Sequence, residues 1–392
     1  MPVGYAGEME EFRVHLSDDL LVDLNRRLTE TRYPDQIAGS GFDYGMDLSA
    51  LRSLVDYWRD DYDWRAREER FNRYPQYKTT ASGEGLHFYH VPSAHPGALP
   101  IVLLHGYMGS VVEFLEMIGP LSDPPAHGGD ARDAFHVVVP SLPGHGFSGP
   151  IEQRGFDMHR CADAIAELME QLGYSRYIVQ GGDWGALVTR RMGEAYADRL
   201  IAVHFNMLFA QPPPGESPDM SGVTEEEQAR MASALARVAG GTGYMSILST
   251  KPQTISMAHN DSPAGMAAWL LEKYQDWCDL DEGDLGSVFT QDQLIDNVMF
   301  YWATAATNSS ARLYYESARK GTSALDPWEG HVRVPTGHAV YPCELLQTPR
   351  CWADERYNIV HWSVQSRGGH FAPFEQPGLF TQDLREFGRL FR

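Results

Sequence analysis

The sequence lacks the features of several protein classes. Among its 392 residues are four cysteines, and none of them forms a Cys-x-x-Cys pair: Cys161, Cys278, Cys343 and Cys351. This spacing favours reduced thiols over a disulfide framework or a thiolate metal site. The 32 Lys and Arg residues are outnumbered by 53 Asp and Glu, for a formal net charge of -21. With no basic stripe, we expect no nucleic-acid partner.

Long apolar runs and a secretory leader are also missing. No stretch approaches the roughly 20 apolar residues of a membrane-spanning helix. The first residues do not place a basic region ahead of an apolar one. We therefore expect a protein with no membrane association, located in the cytoplasm.

Metal-binding patterns are weak. His87, His90 and His95 lie in and after a predicted strand, but no acidic residue falls in register with them. Scattered histidines are then more plausible than a ligand set. We expect neither a metal nor an organic cofactor.

One glycine-rich stretch carries the strongest signal. A short apolar strand, residues 177 to 180, leads into Gly181-Gly182-Asp183-Trp184-Gly185, and a helix is predicted from there to about Ala197. A strand that enters a helix through glycines around one reactive residue is typical of a nucleophile elbow. The Gly-x-Gly-x-x-Gly spacing of a dinucleotide site is absent.

The reactive residue at this elbow is Asp183, where esterases have serine. A carboxylate can displace a leaving group from a saturated carbon and be held as an ester. The pattern therefore indicates an alkylating substrate, an epoxide or an alkyl halide. An aspartate at a helix start is also a common N-cap, and on this stretch alone the two interpretations are level.

The surrounding pattern predicts an α/β fold with a mostly parallel sheet flanked by helices. Apolar strands alternate with helical segments, and sites in such sheets lie at the carboxyl ends of the strands. The predicted strands are residues 101–104, 135–140, 177–180, 199–206, 331–334 and 357–362.

Two regions lie outside this alternation. N-terminal helices are predicted to begin at the caps Ser17 and Asp47, and a linker at 211–215 precedes a helical, methionine-rich insertion, read as a lid. We predict an N-terminal segment, a first core part, a lid and a second core part: residues 1–95, 96–210, 211–325 and 326–392.

An acid and a histidine follow the elbow in chain order. His370, preceded by two glycines, comes after the strand at 357–362, and Glu344 comes after the strand near Val334. Nucleophile, acid and histidine in this order are typical of the α/β-hydrolase triad. Asp354 and Glu355 are alternative acids, but they resemble a solvated surface pair, so Glu344 is favoured.

Taken together, these residues resemble the microsomal-type epoxide hydrolases over nearly the whole chain. Several long motifs occur in that family's order: Leu-x-Asp-Leu-x-x-Arg-Leu (residues 21–28), Thr31-Arg32-Tyr33-Pro34, the elbow, Gly243-Tyr244-Met245, Thr250-Lys251-Pro252, Asn260-Asp261-Ser262-Pro263, Asn297-Val298-Met299, Tyr301-Trp302 and the run 367–377.

The resemblance implies an epoxide hydrolase that forms a vicinal diol through an ester on Asp183. It implies that His370, oriented by Glu344, activates the water that hydrolyses this ester. It also implies that two lid tyrosines, Tyr244 and Tyr314, donate hydrogen bonds to the epoxide oxygen. A phenol with a pKa near 10 suits that task.

The loop after the strand at 101–104 departs from the family. The expected oxyanion donors are the backbone amides of Tyr107 and Trp184, but Met108 replaces the proline of the family's His-Gly-x-Pro. A cis peptide before a residue other than proline costs about 3 kcal/mol relative to trans. If the family's peptide at this position is cis, Met108 disfavours that form, and we then expect this loop to be shaped differently.

Finer expectations also follow from the resemblance. Mammalian members carry a membrane anchor ahead of the N-terminal segment and this sequence shows none, which indicates a soluble bacterial form. It is similar to actinomycete enzymes that open aryl epoxides in enediyne antibiotic assembly. The expected partner is a hydrophobic or aryl epoxide, and the oligomeric state stays open, with a homodimer as one option.

Two other functions fit parts of the pattern. A haloalkane dehalogenase also uses an aspartate elbow, with tryptophans such as Trp184 to hold the halide. A non-catalytic binding protein could be built on the same scaffold, since fold does not fix function.

Overall fold

The computed structural model of the protein describes residues 9–210, 219–323 and 330–392. Within these ranges one sheet of nine strands is flanked by helices, and a set of helices is inserted between its seventh and eighth strands. The predicted α/β fold class with a mostly parallel sheet is thereby confirmed. The predicted linker at 211–215 and the predicted lid ends at 211 and 325 lie outside the described residues.

The sheet has an antiparallel side and a parallel side. In the order β1-β2-β3-β5-β4-β6-β7-β8-β9, strands β1, β2, β3 and β5 pair antiparallel, and all later neighbours pair parallel. The strands are β1 (Glu10–Phe12), β2 (Gln76–Ala81), β3 (Glu84–Val91), β4 (Leu99–Leu104), β5 (Phe135–Pro140), β6 (Tyr177–Gly181), β7 (Leu200–Phe205), β8 (Val332–Val340) and β9 (Tyr357–Val364).

The helices fall into four groups along the chain. The N-terminal segment has α1 (Asp18–Thr29), α2 (Leu48–Asp60) and α3 (Trp64–Phe71), and the first core part has α4 (Leu115–Ser122), α5 (Met158–Gln171) and α6 (Asp183–Ala195). The insertion has α7 (Glu225–Val238), α8 (Gly243–Thr250), α9 (Pro252–Asp261), α10 (Pro263–Trp277), α11 (Gln291–Trp302) and α12 (Thr307–Lys320). The last part has α13 (Arg350–Arg356), α14 (Ala372–Glu375) and α15 (Pro377–Gly388).

Local sequence signals account for several helix ends. Ser17 and Asp47 cap α1 and α2 as predicted, accepting from the amides of Leu20 and Ala50. Helix α5 ends at Gln171, and Gly173 follows it with a φ of 80°, which suits glycine. In the described ranges, no helix is both long enough and apolar enough to cross a bilayer.

Strand β8 is longer than the sequence pattern predicts. The predicted strand at 331–334 continues to Val340, across a register irregularity before Pro335. Proline and glycine usually interrupt strands, but here the irregularity takes up Pro335, and Gly337 leaves room for the rings of His204 and Phe387. Glu344 therefore follows β8 by four residues.

A buried charge cluster joins the N-terminal segment to the insertion. Asp296 of α11 is fully buried and pairs with Arg67 and with Arg70, whose Nη1 lies 2.9 Å from its Oδ2. The hydroxyl of Tyr62 donates to its Oδ1 at 2.9 Å. A buried carboxylate requires such partners, so the N-terminal helices fix the position of α11.

We expect Asp296→Ala to destabilise the protein strongly. The change leaves Arg67, with only 16% of its side chain exposed, without its buried partner. Breaking a buried pair in this way costs about 3 kcal/mol or more. Urea unfolding would measure this loss. The control is Asp292→Ala, because Asp292 pairs with the same arginine at 3.2 Å but is 32% exposed, and should lose less than about 1 kcal/mol; equal losses would contradict the assignment.

Candidate active site

Asp183 lies where β6 turns into α6, over the carboxyl end of the sheet. It has a φ of 50°, and it is the first residue of α6 with Gly182 in the N-cap position. The capping interpretation is therefore wrong for this residue. A Cβ at Gly181 would lie 2.2 Å from the carbonyl oxygen of Gly185, and a Cβ at Gly185 would lie 2.3 Å from that of Leu104. The glycines allow this tight turn.

His370 lies between Asp183 and Glu344. Its Nδ1 donates to Glu344 Oε1 at 2.8 Å, and its Nε2 lies 3.7 Å from Asp183 Oδ2. The side chains of His370 and Glu344 are nearly fully buried, whereas that of Asp183 keeps 20% exposure toward the cleft. The three residues predicted from chain order are thus brought together in space.

The loop before His370 owes its shape to two glycines and a glutamate. Gly368 has a φ of 114°, and a Cβ on Gly369 would lie 2.4 Å from the carbonyl oxygen of Trp277. The Glu375 carboxylate accepts from the backbone amides of Gly369 and Phe371 at 3.0 and 2.9 Å. These contacts fix the direction in which the imidazole points.

The two alternative acids lie away from this cluster. Asp354 and Glu355 are exposed on α13, and Asp354 Oδ1 accepts from Arg350 Nε at 2.8 Å. Both are surface residues, as predicted.

Tyr244 of α8 and Tyr314 of α12 lie side by side in the lid, facing the elbow. Their ring centroids are 5.9 Å apart, and the ring of Tyr314 meets that of Trp184 edge-on at 4.7 Å. Burial and then the Asp183 charge raise the pKa of Tyr244, and burial and then Tyr244 raise that of Tyr314. Both phenols therefore carry their protons.

The oxyanion candidates converge on the Asp183 carboxylate. The amide of Tyr107 donates to Asp183 Oδ1 at 2.8 Å, and the amide of Trp184 also hydrogen-bonds to this carboxylate. The Tyr107–Met108 peptide is cis. With Met108 in place of the proline, the Tyr107 amide still reaches Asp183.

Lid helix α11 holds this loop from above. Asn297 Nδ2 donates to the Met108 carbonyl at 2.8 Å, and the Tyr301 hydroxyl donates to the Gly109 carbonyl at 2.7 Å. Ser110 Oγ donates to Asn297 Oδ1 at 2.7 Å. The loop is thus tied to the lid at three consecutive residues.

The charges of the cluster support one another. Burial lowers the pKa of His370, but the Glu344 carboxylate with its hydrogen bond, and then Asp183, outweigh burial and raise it to about 9. Burial raises the pKa of Asp183, while the His370 charge and the amides of Trp184 and Tyr107 oppose this shift. At neutral pH the resting site therefore holds His370 as an imidazolium.

Sequence reasoning missed a further carboxyl group, Glu113. It is 6% exposed, lies near Asp183 and His370, and its Oε1 has no hydrogen-bond partner. Burial raises its pKa to about 8. The available signal was a single charged residue within the apolar run Val111-Val112-Glu113-Phe114-Leu115, where a solvated glutamate is out of place.

No group of three or more potential metal ligands occurs in the part of the chain that the structure describes. His87, from the discounted histidine set, is buried and hydrogen-bonded to Ser141 Oγ at 2.9 Å and Gln76 Oε1 at 3.0 Å. Its environment is that of a structural histidine.

Two family models match the sequence. Residues 9–114 match the model described as the N terminus of epoxide hydrolases, and residues 100–242 match the alpha/beta hydrolase fold. The first covers the N-terminal segment and the loop with Tyr107, and the second covers the elbow.

Named relatives span almost the whole chain. A Stigmatella aurantiaca protein, assigned provisionally to the epoxide hydrolases, is 45% identical over 97% of this chain and 85% of its own. Epoxide hydrolase 1 of Oryctolagus cuniculus is 36% identical over 98% of this chain and 90% of its own. The crystal structure of juvenile hormone epoxide hydrolase from Bombyx mori has 33% identity and a TM-score of 0.87, over 99% of this chain and 96% of that one.

We expect His370→Gln to remove part of the pH dependence of stability. The pKa of His370 is raised from 6.5 to about 9, so the stability from its charged form is fully present below pH 6.5 and is lost as the pH rises through about 9. A pKa difference of about 2.5 corresponds to roughly 3 kcal/mol. Urea unfolding of both proteins at about pH 6 and about pH 9.5 measures this loss.

The difference between the two proteins is the informative quantity. Burial also raises the pKa of Glu113 to about 8 and that of Glu375 to about 7, so both carboxyl groups make each protein less stable as the pH rises. Stability losses of equal size in the wild type and in His370→Gln would rule out the charge arrangement described for His370.

Proposed function

Since the chain belongs to the epoxide hydrolase family and is an epoxide-hydrolysing enzyme, we propose that it opens an epoxide to a vicinal diol through a covalent ester on Asp183. The observation that carries the proposal is the position of the His370 ring between two carboxyl groups. Its Nε2 lies 3.7 Å from Asp183 Oδ2, and its Nδ1 lies 2.8 Å from Glu344 Oε1. A carboxylate nucleophile beside an oriented imidazole is what a two-step ester mechanism needs.

In the first step, Asp183 attacks one carbon of the epoxide, and the carbon–oxygen bond on that carbon breaks. The oxygen that leaves becomes an alkoxide, and one of the phenols, Tyr244 or Tyr314, gives it a proton. The resulting tyrosinate is reprotonated at the expense of the His370 imidazolium. The step ends with a hydroxyalkyl ester and a neutral imidazole.

In the second step, His370 takes a proton from water and the oxygen of that water attacks the ester carbonyl of Asp183. The oxyanion that forms is stabilised by the amides of Tyr107 and Trp184, and one such donor typically contributes roughly 3 kcal/mol. When the intermediate collapses, the departing diol oxygen takes the proton of the added hydroxyl group, and the carboxylate and imidazolium are restored. The diol keeps an oxygen of the Asp183 carboxylate, and the oxygen of the water takes its place there. No metal or organic cofactor takes part in these steps.

The substrate that fits this lining is an aryl or otherwise apolar epoxide. The rings of Tyr107, Trp184, Tyr244 and Tyr314 contact one another around the nucleophile. Such a lining favours apolar ligands held by few polar groups. A role in enediyne antibiotic assembly, a cytoplasmic location and a homodimer stay predictions from the sequence.

Family membership argues against the two alternative functions. A dehalogenase would need Trp184 for the halide, whereas its ring packs edge-on against Tyr314 at 4.7 Å. A non-catalytic binding protein is set aside because the chain is an epoxide-hydrolysing enzyme.

We expect His370→Gln to form the ester and stop there, while Asp183→Ala forms none. Glutamine cannot take the proton from water, but alkylation of Asp183 needs no base. Mass spectrometry after incubation with styrene oxide should show a mass gain on the peptide that contains Asp183. An unmodified peptide would count against the ester.

We expect the double change Tyr244→Phe and Tyr314→Phe to slow alkylation by about a hundredfold or more, within the usual range for a lost general acid, and to affect ester hydrolysis far less. Stopped-flow single turnovers separate the two steps. Tyr315→Phe is the matched control. Tyr315 is the next residue of α12, but its ring contacts Arg319. Unchanged alkylation in the double variant would remove the phenols from the mechanism.

A further inference from the structure

Glu113 has the surroundings of a functional group rather than of a structural one. It follows Ser110 in a short 3-10 helix before α4, and it is 94% buried. The Ser110 amide donates to its carboxyl group, yet Oε1 is buried without a partner. An unpaired buried polar atom costs roughly 1–3 kcal/mol, which is hard to explain if Glu113 serves stability alone.

The carboxyl group of Glu113 lines a small cavity at the centre of the site. The same cavity is lined by Asp183, His370 and the Tyr107 loop. The positions that the centre of a water molecule can occupy in it make up about 10 Å³. That is close to the minimum for one water, which also needs polar partners on more than one side. Glu113, Asp183 and His370 are such partners.

Gly109 makes the position of Glu113 possible. A Cβ on Gly109 would lie 1.4 Å from Glu113 Oε1, closer than any real contact. The absence of a side chain at Gly109 therefore gives the carboxyl group its place beside the nucleophile. Its neighbour Met108 and Gly109 itself are held by Asn297 and Tyr301 of α11.

We propose that Glu113 is a further catalytic residue, which holds the hydrolytic water in this cavity against the Asp183 ester. The inference rests on the ester mechanism proposed above and adds a residue to its second step. The water donates one hydrogen to Glu113 Oε1 and the other to His370 Nε2. Its lone pair then points at the ester carbonyl.

The step balances without any further reactant. A bond forms between the water oxygen and the ester carbon, one proton passes to His370, and the electron pair of the carbonyl moves to the oxygen facing the amides of Tyr107 and Trp184. The hydrogen bond to Glu113 stays throughout, so this group fixes the direction of attack and takes no proton. Accepting at Oε1 calls for the ionised form of Glu113. Burial raises the pKa of this group to about 8, and the negative charge of Asp183, which also raises it, is gone once the ester has formed.

The test compares Glu113→Gln with Glu116→Gln in single turnovers with styrene oxide. With glutamine, the amide oxygen keeps the bond from Ser110 and the NH2 group faces the cavity, so water loses its acceptor there. Ester hydrolysis should slow about tenfold or more, as expected for one lost hydrogen bond, with alkylation within about twofold of the wild type. The control residue Glu116 lies one turn further on, is 44% exposed and pairs with Arg70. It should tolerate the same change with both steps intact.

A second variant reaches the same group without altering it. Gly109→Ala should displace the Glu113 carboxyl group and slow hydrolysis selectively, whereas Gly378→Ala places its methyl group in open space and should change neither step. Hydrolysis at the wild-type rate in Glu113→Gln, or equal slowing of both steps, overturns the role of Glu113.

Failure of the inference can be told apart from failure of the proposed function. If His370→Gln accumulates no ester, the covalent mechanism itself fails. If the ester forms and Glu113→Gln hydrolyses it at the wild-type rate, only the role of Glu113 fails. A crystal structure of the wild type should show a water within about 3.2 Å of Glu113 Oε1, and an empty cavity would also refute the inference.

Discussion

One buried positive charge governs the site. The His370 imidazolium lies 2.8 Å from Glu344 and 3.7 Å from Asp183, and burial alone would disfavour every one of these charges. The charge on His370 therefore depends on Glu344 and Asp183, which raise its pKa against the effect of burial. In the proposed mechanism, the ester removes the negative charge of Asp183, so the pKa of His370 falls. Alkylation would thus convert the imidazole from a resting acid into the base that hydrolysis needs, with no conformational change required.

This arrangement requires two backbone segments, the loop after β4 and the elbow after β6, to lie very close together. A Cβ on Gly106 would lie 2.3 Å from Asp183 Oδ1, and Gly185 touches the end of β4. Strands β4 and β6 are paired so that Leu104 lies opposite Gly181, which places the loop of Tyr107 beside the elbow. The glycines therefore allow the two loops to approach each other as well as to turn. With larger residues at these positions the Tyr107 amide could not reach Asp183.

Most of the fold, and the core of the site, could be predicted because their signals are local or sequential. Apolar strands and helix caps such as Ser17 are read from neighbouring residues, and Asp183, Glu344 and His370 follow from their order after strands. The predicted end of β8 at residue 334 was wrong. Proline and glycine, here Pro335 and Gly337, normally end strands, and only the pairing with β7 and β9 shows that this strand continues. Tyr244 and Tyr314 came from resemblance alone, since nothing local separates them from the other tyrosines. Glu113 was missed because its place in the site depends on packing near Asp183 and His370, which are distant from it in the sequence.

The N-terminal segment carries none of the proposed catalytic groups, yet a continuous set of contacts links it to the nucleophile. Asp296 and Asn297 are adjacent on α11: the first is held by Arg67 and Arg70 of α3, and the second donates to the carbonyl of Met108. The amide of Tyr107, one residue earlier, donates to Asp183. Because Asp296 is buried, its pairs with the arginines can form only when α3 and α11 are in register. The register of α11 in turn fixes the height of the loop that carries Tyr107, so the segment bears on the proposed chemistry through the position of a single amide.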